Sequence, residues 1–234
     1  MIKYSKTKKA VFVERPNRFI AKVLVDGKEE TVHVKNTGRC RELLVKGCEI
    51  ILYESDNISR KTKYDLVAVY KKRDGKTPLL INMDSQIPND VAEEWLEKSG
   101  LFSSNAKIRR EVKYGESRFD FYIEDGERKA FIEVKGVTLE ENGVAMFPDA
   151  PTERGIKHIN ELALAKSQGY DAYILFIIQM KEICEMRPND KTHKAFADAL
   201  CEAEKKGVRV LALDCTVTED SIEADSFVTV VILN

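Results

Sequence analysis

Residues 18–25 are apolar and β-rich and residues 31–34 alternate with period two, on either side of Asp26-Gly27, which predicts a hairpin. Short apolar or β-branched runs at 48–53, 64–70 and 79–82 follow between polar turns, with a short helix predicted over 39–45. Five short strands in so little chain predict a small barrel, OB-like or SH3-like. The period then changes. Pro88-Asn89-Asp90 opens a helix running to Ser99 and closed by Gly100, whose apolar stripe is Val91, Ala92, Trp95 and Leu96. Strands are expected at 107–114, 118–123 and 129–135, a helix at 152–168, a buried strand at 172–178, a helix at 190–206 stopped by Gly207, and strands at 208–213 and 227–233. The expected fold is α/β (α+β overall): a barrel domain over residues 1–85, then an αβββαβ domain with a mixed sheet over 86–234.

The two strands 118–123 and 129–135 carry the chemistry. Asp125-Gly126 between them is a strong hairpin signal. With those two residues at the tip, Asp120 faces Phe131 and Arg118 faces Glu133. Parity then puts Asp120, Glu133 and Lys135 on one side, with the two carboxylates as diagonal neighbours. A hard cation takes one or two protein carboxylates and keeps room for water and phosphate. A lysine beside it can hold a phosphate oxygen or polarise an attacking water. The competing reading is a solvated hairpin face with an ordinary ion pair.

Composition adds compartment and charge. Five cysteines (Cys40, Cys48, Cys184, Cys201 and Cys215) are scattered, odd in number and without a C-x-x-C pair, so neither a zinc site nor a disulfide framework is indicated. The first residues lack an apolar leader and no run reaches membrane-spanning length, which leads to the expectation of a cytoplasmic protein without a membrane partner. Net charge is −1, yet residues 1–85 hold 19 Lys+Arg against 11 Asp+Glu, while 86–234 hold 19 against 28. A basic module joined to an acidic one suits a polyanion held by the first and acted on by the second.

The αβββαβ order, with Asp on the second strand and E-x-K on the third, resembles the PD-(D/E)xK nuclease superfamily. The segments Asn36-Thr37-Gly38-Arg39, Glu111-Val112-Lys113-Tyr114-Gly115, Ser117-Arg118-Phe119-Asp120, Glu133-Val134-Lys135-Gly136-Val137-Thr138 and 147–158 (FPDAPTERGIKH) together resemble, over essentially the whole chain, the sugar fermentation stimulation protein family, SfsA. Cys40 stands where an apolar residue such as Met is common in that family. The resemblance implies an OB-fold-like N-terminal domain, a nuclease-like C-terminal domain and DNA binding. The family name itself describes a phenotype.

Candidate site residues follow from both sources. Asp120, Glu133 and the Val134 carbonyl would hold Mg²⁺ or Mn²⁺, with Lys135 assisting a water. A further acid could come from the first helix, where Glu94 matches an acidic position implied by the resemblance, against a solvated helix face. With Asp90 as N-cap, Glu93 suits a capping box. Glu111 competes, against an ion pair with Lys113 or Arg118. On the 152–168 helix, Ile156, Ile159, Leu162 and Ala163 form a buried stripe, which leaves Arg154, Lys157, His158 and Glu161 on the opposite one; the first three, with Arg118, are expected to contact nucleic-acid phosphates, against a solvated charged face. The helix N-terminus near Thr152 is suited to an anion, or Thr152 simply caps it. In the barrel, Asn36, Thr37, Arg39 and Arg41, with Lys35, either contact nucleic acid or form a plain turn; Phe12, Phe19, Tyr53 and Tyr64 are the aromatics available for stacking. His193 is assigned no role.

The expected function is a DNA-binding protein with a metal-dependent phosphodiesterase-like site. Single-stranded or non-specific DNA is the expected partner, RNA stays open, and a homodimer is compatible. The rival is a non-catalytic DNA-binding regulator of sugar (maltose-type) utilisation genes; an enzyme on a small phosphorylated or sugar ligand is a third class.

Overall fold

The structure, a computed structural model, describes residues 1–36, 38–57 and 59–232. Thr37, one of the candidate contact residues, lies outside the described residues, as does Leu233 at the end of the last expected strand.

The first strands in chain order are β1 (Ile2–Lys3), β2 (Thr7–Glu14), β3 (Ile20–Val25), β4 (Lys28–Val34), β5 (Glu49–Glu54), β6 (Tyr64–Arg73) and β7 (Lys76–Asn82). Strands β2 to β6 close into a five-stranded barrel: the order β4-β3-β2-β5-β6 is completed by a parallel β4–β6 pairing, and β7 extends from β6. Closure removes free edges, and inward positions such as Ala21, Val23, Val32, Ile50, Leu52 and Leu66 fill the interior. The β3–β4 turn is Asp26-Gly27, both at positive φ (50° and 78°), as a type I′ hairpin requires. Residues 39–45 form turns rather than the expected helix. Cys40 sits at φ 45°, and Leu43 and Leu44 are buried with the barrel core. Strand β2, which the sequence did not announce, is central: Lys9 and Val11 point outward while Ala10 and Phe12 face in.

After α1 (Ile87–Lys98) come β8 (Lys107–Tyr114), β9 (Ser117–Asp125), β10 (Arg128–Val137), β11 (Leu139–Glu141), β12 (Val144–Phe147), α2 (Glu153–Ser167), β13 (Asp171–Ile178), β14 (Glu185–Pro188), α3 (Asp190–Lys205), β15 (Arg209–Val217), β16 (Ser221–Phe227) and β17 (Thr229–Val230). The main sheet has the order β1-β16-β15-β13-β10-β9-β8; β10, β13 and β15 run parallel and the outer strands antiparallel. The αβββαβ order is therefore present, with the β11–β12 hairpin inserted before α2. Strand β1 joins this sheet, so the chain begins on the C-terminal module and crosses into the barrel. Residues 227–233 are not one strand, because β16 ends at Phe227 and Val228 turns inward before β17.

Two apolar layers sandwich the sheet. Helix α1 packs with Phe121, Ile123, Ile132, Val134, Leu175 and Ile177; α2 and α3 cover Phe119, Phe131, Ile174, Phe176 and Ile178 on the other face. The second layer is continuous with the barrel core. Gly155 permits the close α2–α3 crossing, since a Cβ there would lie 2.9 Å from Thr152 Cγ2 and 3.2 Å from Phe196 Cε2. Among the described residues no helix is long and apolar enough to cross a membrane, and no disulfide joins any of the five cysteines.

Candidate functional site

The β9–β10 hairpin turns one residue later than Asp125-Gly126 suggests. Asp125 pairs with Arg128, and Gly126 (φ 62°) takes the first central position of a two-residue turn. Asp125 is held in the strand because its carboxylate accepts from Ser103 N (2.9 Å) and Oγ (2.5 Å). The register advances by two, so parity is kept and the expected diagonal relation becomes a direct one. The ladder runs as far as Phe121 opposite Ile132, and the next step sets Asp120 against Glu133. Arg118 lies opposite Lys113 of β8 rather than facing Glu133.

At that step the strands part. Phe119 belongs to the α2 layer and Phe121 to the α1 layer, so the period-two alternation of β9 breaks at Asp120. Glu111, beside it on β8, has φ 57°. Asp120 fills the gap: its Oδ2 accepts the Val134 N–H (2.7 Å) that would otherwise join the ladder, and its Oδ1 accepts from Asn89 Nδ2 of α1 (3.0 Å). Helix α1 therefore contributes Asn89, which the sequence reading passed over. The helix starts at Ile87, with Gln86 as N-cap and no side-chain cap bond. Asp90 and Glu93 lie in its first turns, each 2.7 Å from Arg110, and form neither an N-cap nor a capping box. Glu94 is not brought to the acidic pair. It lies against the N-terminal amine and Lys98, on the side of α1 that faces β16.

Glu133 is 2 % exposed. One oxygen, Oε1, accepts from both Lys135 Nζ and His158 Nδ1, while the other, Oε2, is buried without a hydrogen-bond partner among the described residues. His158 was expected on the outer stripe of α2, yet it is buried against Phe119 and Glu133. Its Nε2 accepts from Arg154 Nε (3.4 Å), which fixes the tautomer with the proton on Nδ1. Burial, the largest influence on Glu133, works to raise its pKa, but the His158 hydrogen bond and the Lys135 charge outweigh it and the net direction is down. Asp120 goes the other way. Burial first, then the neighbouring Glu133 charge, pushes its pKa up despite the Val134 and Asn89 hydrogen bonds.

A cleft of about 490 Å³ opens beside Asp120, lined by Glu111, Lys113, Arg118, Arg154, Lys157 and His158 among others. The structure thus gathers the expected basic residues of α2 and β9. Glu111 forms the anticipated ion pair with Arg118 (3.2 Å), both exposed. Lys157 Nζ donates to the Glu116 carbonyl (3.1 Å). Thr152 is the N-cap of α2, its Oγ1 accepting from Gly155 N (3.1 Å), and its own N–H donates to His193 Nδ1 (3.2 Å), so His193 has a structural part. It is also the non-helical residue (φ −153°, ψ 83°) inside α3.

The barrel loop is a separate constellation. Arg15, unmarked in the sequence, donates to the carbonyls of Arg18, Asn36, Gly38 and Arg39 and so fastens the loop. Asn36 Nδ2 donates to Met83 O (3.0 Å) and its Oδ1 accepts from Gly38 N (2.7 Å). Lys35 binds buried Asp84 (2.6 Å), whereas Arg39 and Arg41 are exposed.

For a divalent cation the available donors are Asp120, Glu133 and the Val134 carbonyl. The unpartnered Glu133 Oε2 and the mutual repulsion that raises Asp120 both fit a positive charge between them. Among the described residues no three His, Cys, Asp or Glu side chains converge to hold a metal, so water or phosphate oxygens would complete the shell.

A closed five-stranded barrel joined to a mixed αβββαβ sheet, with Asp on its second strand and E-x-K on its third, defines an OB-barrel protein with a PD-(D/E)xK-type domain. Comparison narrows this class to one family. A family model described as "Sugar fermentation stimulation protein RE domain" matches residues 86–221, and one described as "SfsA N-terminal OB domain" matches residues 13–77. Sugar fermentation stimulation protein homologs from Desulfitobacterium hafniense (strain DSM 10664 / DCB-2) and Ruminiclostridium cellulolyticum are 61% and 54% identical over 229 residues, covering 98% of this chain and 98% and 99% of theirs. The solved structure of Pyrococcus furiosus SfsA in complex with Ca²⁺ superposes with a TM-score of 0.86 at 29% identity, covering 99% of this chain and 98% of that one. The chain belongs to the sugar fermentation stimulation protein (SfsA) family.

Proposed function

We propose that this protein binds nucleic acid, with DNA the leading partner, and hydrolyses phosphodiester bonds at a divalent-cation site formed by Asp120, Glu133 and the Val134 carbonyl. The observation that carries the reading is buried Glu133 facing half-buried Asp120, with one Glu133 oxygen left unpartnered and a lysine on the same strand. The Pyrococcus furiosus relative was solved with Ca²⁺, a hard cation that prefers oxygen ligands, as this donor set does. A bound Mg²⁺ or Mn²⁺ would supply Lewis acidity toward a phosphoryl oxygen. The chain does the rest. Asn89 and the Val134 N–H fix Asp120, and His158 fixes Glu133. Lys135 sits where it can orient a water or a phosphate oxygen, and Arg154, Lys157 and Arg118 hold the flanking phosphates in the cleft.

The test is cleavage of single-stranded, duplex and branched DNA and RNA with Mg²⁺ or Mn²⁺, comparing the protein with Asp120→Ala and Lys135→Ala. Cleavage lost by at least about 100-fold in both variants is expected, with binding retained. A non-catalytic DNA-binding regulator is the second reading, supported by the closed contacts of Glu133 Oε1 to Lys135 and His158. Intact binding with no cleavage of any substrate would select it.

A further inference from the structure

Neither the acidic pair nor the cleft uses a second cavity, of about 340 Å³, between the barrel and the main sheet. Asn36, Gly38 and Ser85 form its barrel side, and Gly136, Asp149 and Gln179 are among the residues opposite. Gly136 follows Lys135 directly, so the cavity begins where the E-x-K motif ends. The close fit there is specific. A Cβ on Gly136 would lie 2.6 Å from Gln179 Oε1 and 2.7 Å from Pro88 Cγ.

Hydrogen-bond accounting shows what the cavity offers. The Asn36 amide is used at both ends, and Gln179 Nε2 donates to Asn82 Oδ1 and the Asp84 carbonyl, both at 3.0 Å. Ser85 Oγ donates to Lys35 O (2.5 Å). What remains includes the acceptors Gln179 Oε1 and the exposed Asp149 carboxylate, which has no hydrogen-bond or salt-bridge partner among the described residues, and the Thr138 hydroxyl. Leu139, Met146, Phe147, Pro148 and Pro151 form an apolar wall, and Thr138 and Thr152 also line the cavity. Among the described residues no lysine or arginine lines the cavity. A cavity of this size, with an apolar wall beside acceptors, suits a flat neutral ring with a donating edge.

We infer that this cavity receives one unstacked nucleobase from the strand whose phosphate lies at Asp120, Glu133 and Lys135, with amino-bearing bases favoured over thymine or uracil. This rests on the nucleic-acid reading above and adds to it a strandedness, because a paired base cannot enter. Gly136 is three residues beyond Glu133, roughly 10 Å along the strand, so phosphate and base sites are adjacent.

The experiment places 2-aminopurine at successive positions of single-stranded deoxy- and ribo-oligonucleotides. Fluorescence and anisotropy are then measured with Ca²⁺ present for the protein, Ala150→Trp, which fills the cavity, and Asp149→Asn, which keeps its shape. One position should change fluorescence on binding, and Ala150→Trp should abolish that change. Ala150→Trp should also weaken single-strand affinity roughly tenfold while leaving duplex affinity within about twofold. Oligo-dC should bind more tightly than oligo-dT, with the difference reduced in Asp149→Asn; this arm stands even if Ala150→Trp fails to fold. Uniform fluorescence at all positions, equal losses for single strand and duplex, or no dC preference would overturn the inference. A position-specific signal that persists in Asp120→Ala while no substrate is cleaved would retain the base site and reject the phosphodiesterase.

Discussion

At the scale of single residues, Asp120 and Glu133 are neighbours whose acidities move in opposite directions, and that opposition has consequences at two levels. Burial and the Glu133 charge raise Asp120, so its folded pKa lies above its unfolded one. Its contribution to stability is therefore present at low pH and lost as pH rises through the folded pKa. Glu133, lowered by His158 and Lys135 against its burial, contributes stability at higher pH that is lost as pH falls through its folded pKa. Asp120→Asn should accordingly raise the melting temperature near neutral pH, by about 2–4 °C, while removing divalent-cation binding. Calorimetry and Mn²⁺ titration check the two halves, and an unchanged or lower melting temperature would contradict the like-charge account. Protons also compete with the cation. Affinity for Mn²⁺ should rise with pH through the elevated Asp120 pKa, with proton release on binding, and isothermal titration in two buffers of different ionisation enthalpy measures it. Period-two parity made Asp120, Glu133 and Lys135 legible in the sequence. Asn89 and the burial of His158 were not, because both depend on how helices pack across the sheet, which strand and helix periodicity do not encode.

At the scale of elements, long amphipathic stretches were legible and short irregular ones were not. The helical stripe Ile159, Leu162 and Ala163 is buried as its spacing requires, and the apolar, β-rich run 18–25 contains β3. Residues 39–45 misled because the adjacent Leu43 and Leu44 mimic a helical face, while the actual device is a turn with Cys40 in the left-handed region. The four-stranded sheet β11-β12-β14-β17 is built from strands of two to four residues, too short for any period to show. Helix α2 ties fold to site, since it carries His158 to Glu133 and Arg154 to the cleft. Thr152→Ala removes the acceptor for Gly155 N–H and should cost about 1 kcal/mol in denaturant unfolding. Gly136→Ala should cost about 1–3 kcal/mol, since its Cβ must displace Gln179 or Pro88. It should also weaken cation binding, since Lys135 directly precedes it and Val134 is two residues before it. A Gly136→Ala protein as stable as the parent would show that the strand shifts freely there.

At the scale of the whole molecule, the barrel and the main sheet are fastened by polar groups as well as by the shared apolar layer. Asn82 N donates to Gln179 O (2.9 Å), Gln179 returns bonds to Asn82 and Asp84, and Lys35 pairs with Asp84, which is 0 % exposed. The β1 strand crosses back to pair with β16. The basic barrel is thus held against the acidic module, with the cavity of about 340 Å³ between them. Charge distribution then becomes a binding argument. A polyanion drawn to the barrel's excess of 19 Lys+Arg over 11 Asp+Glu also meets Arg118, Arg154 and Lys157 at the cleft. If these groups contact phosphates, the logarithm of affinity should fall linearly with that of salt, by about 0.7 per contact for a single strand. Arg39→Ala with Arg41→Ala on the barrel, and Arg154→Ala with Lys157→Ala on α2, should each reduce the slope by about 1 to 1.5, in Ca²⁺ and without it. Anisotropy titrations across salt concentrations measure this directly. A reduction confined to the α2 pair would assign the grip to the cleft alone, and a flat salt dependence in the unaltered protein would remove nucleic acid as the partner of this surface.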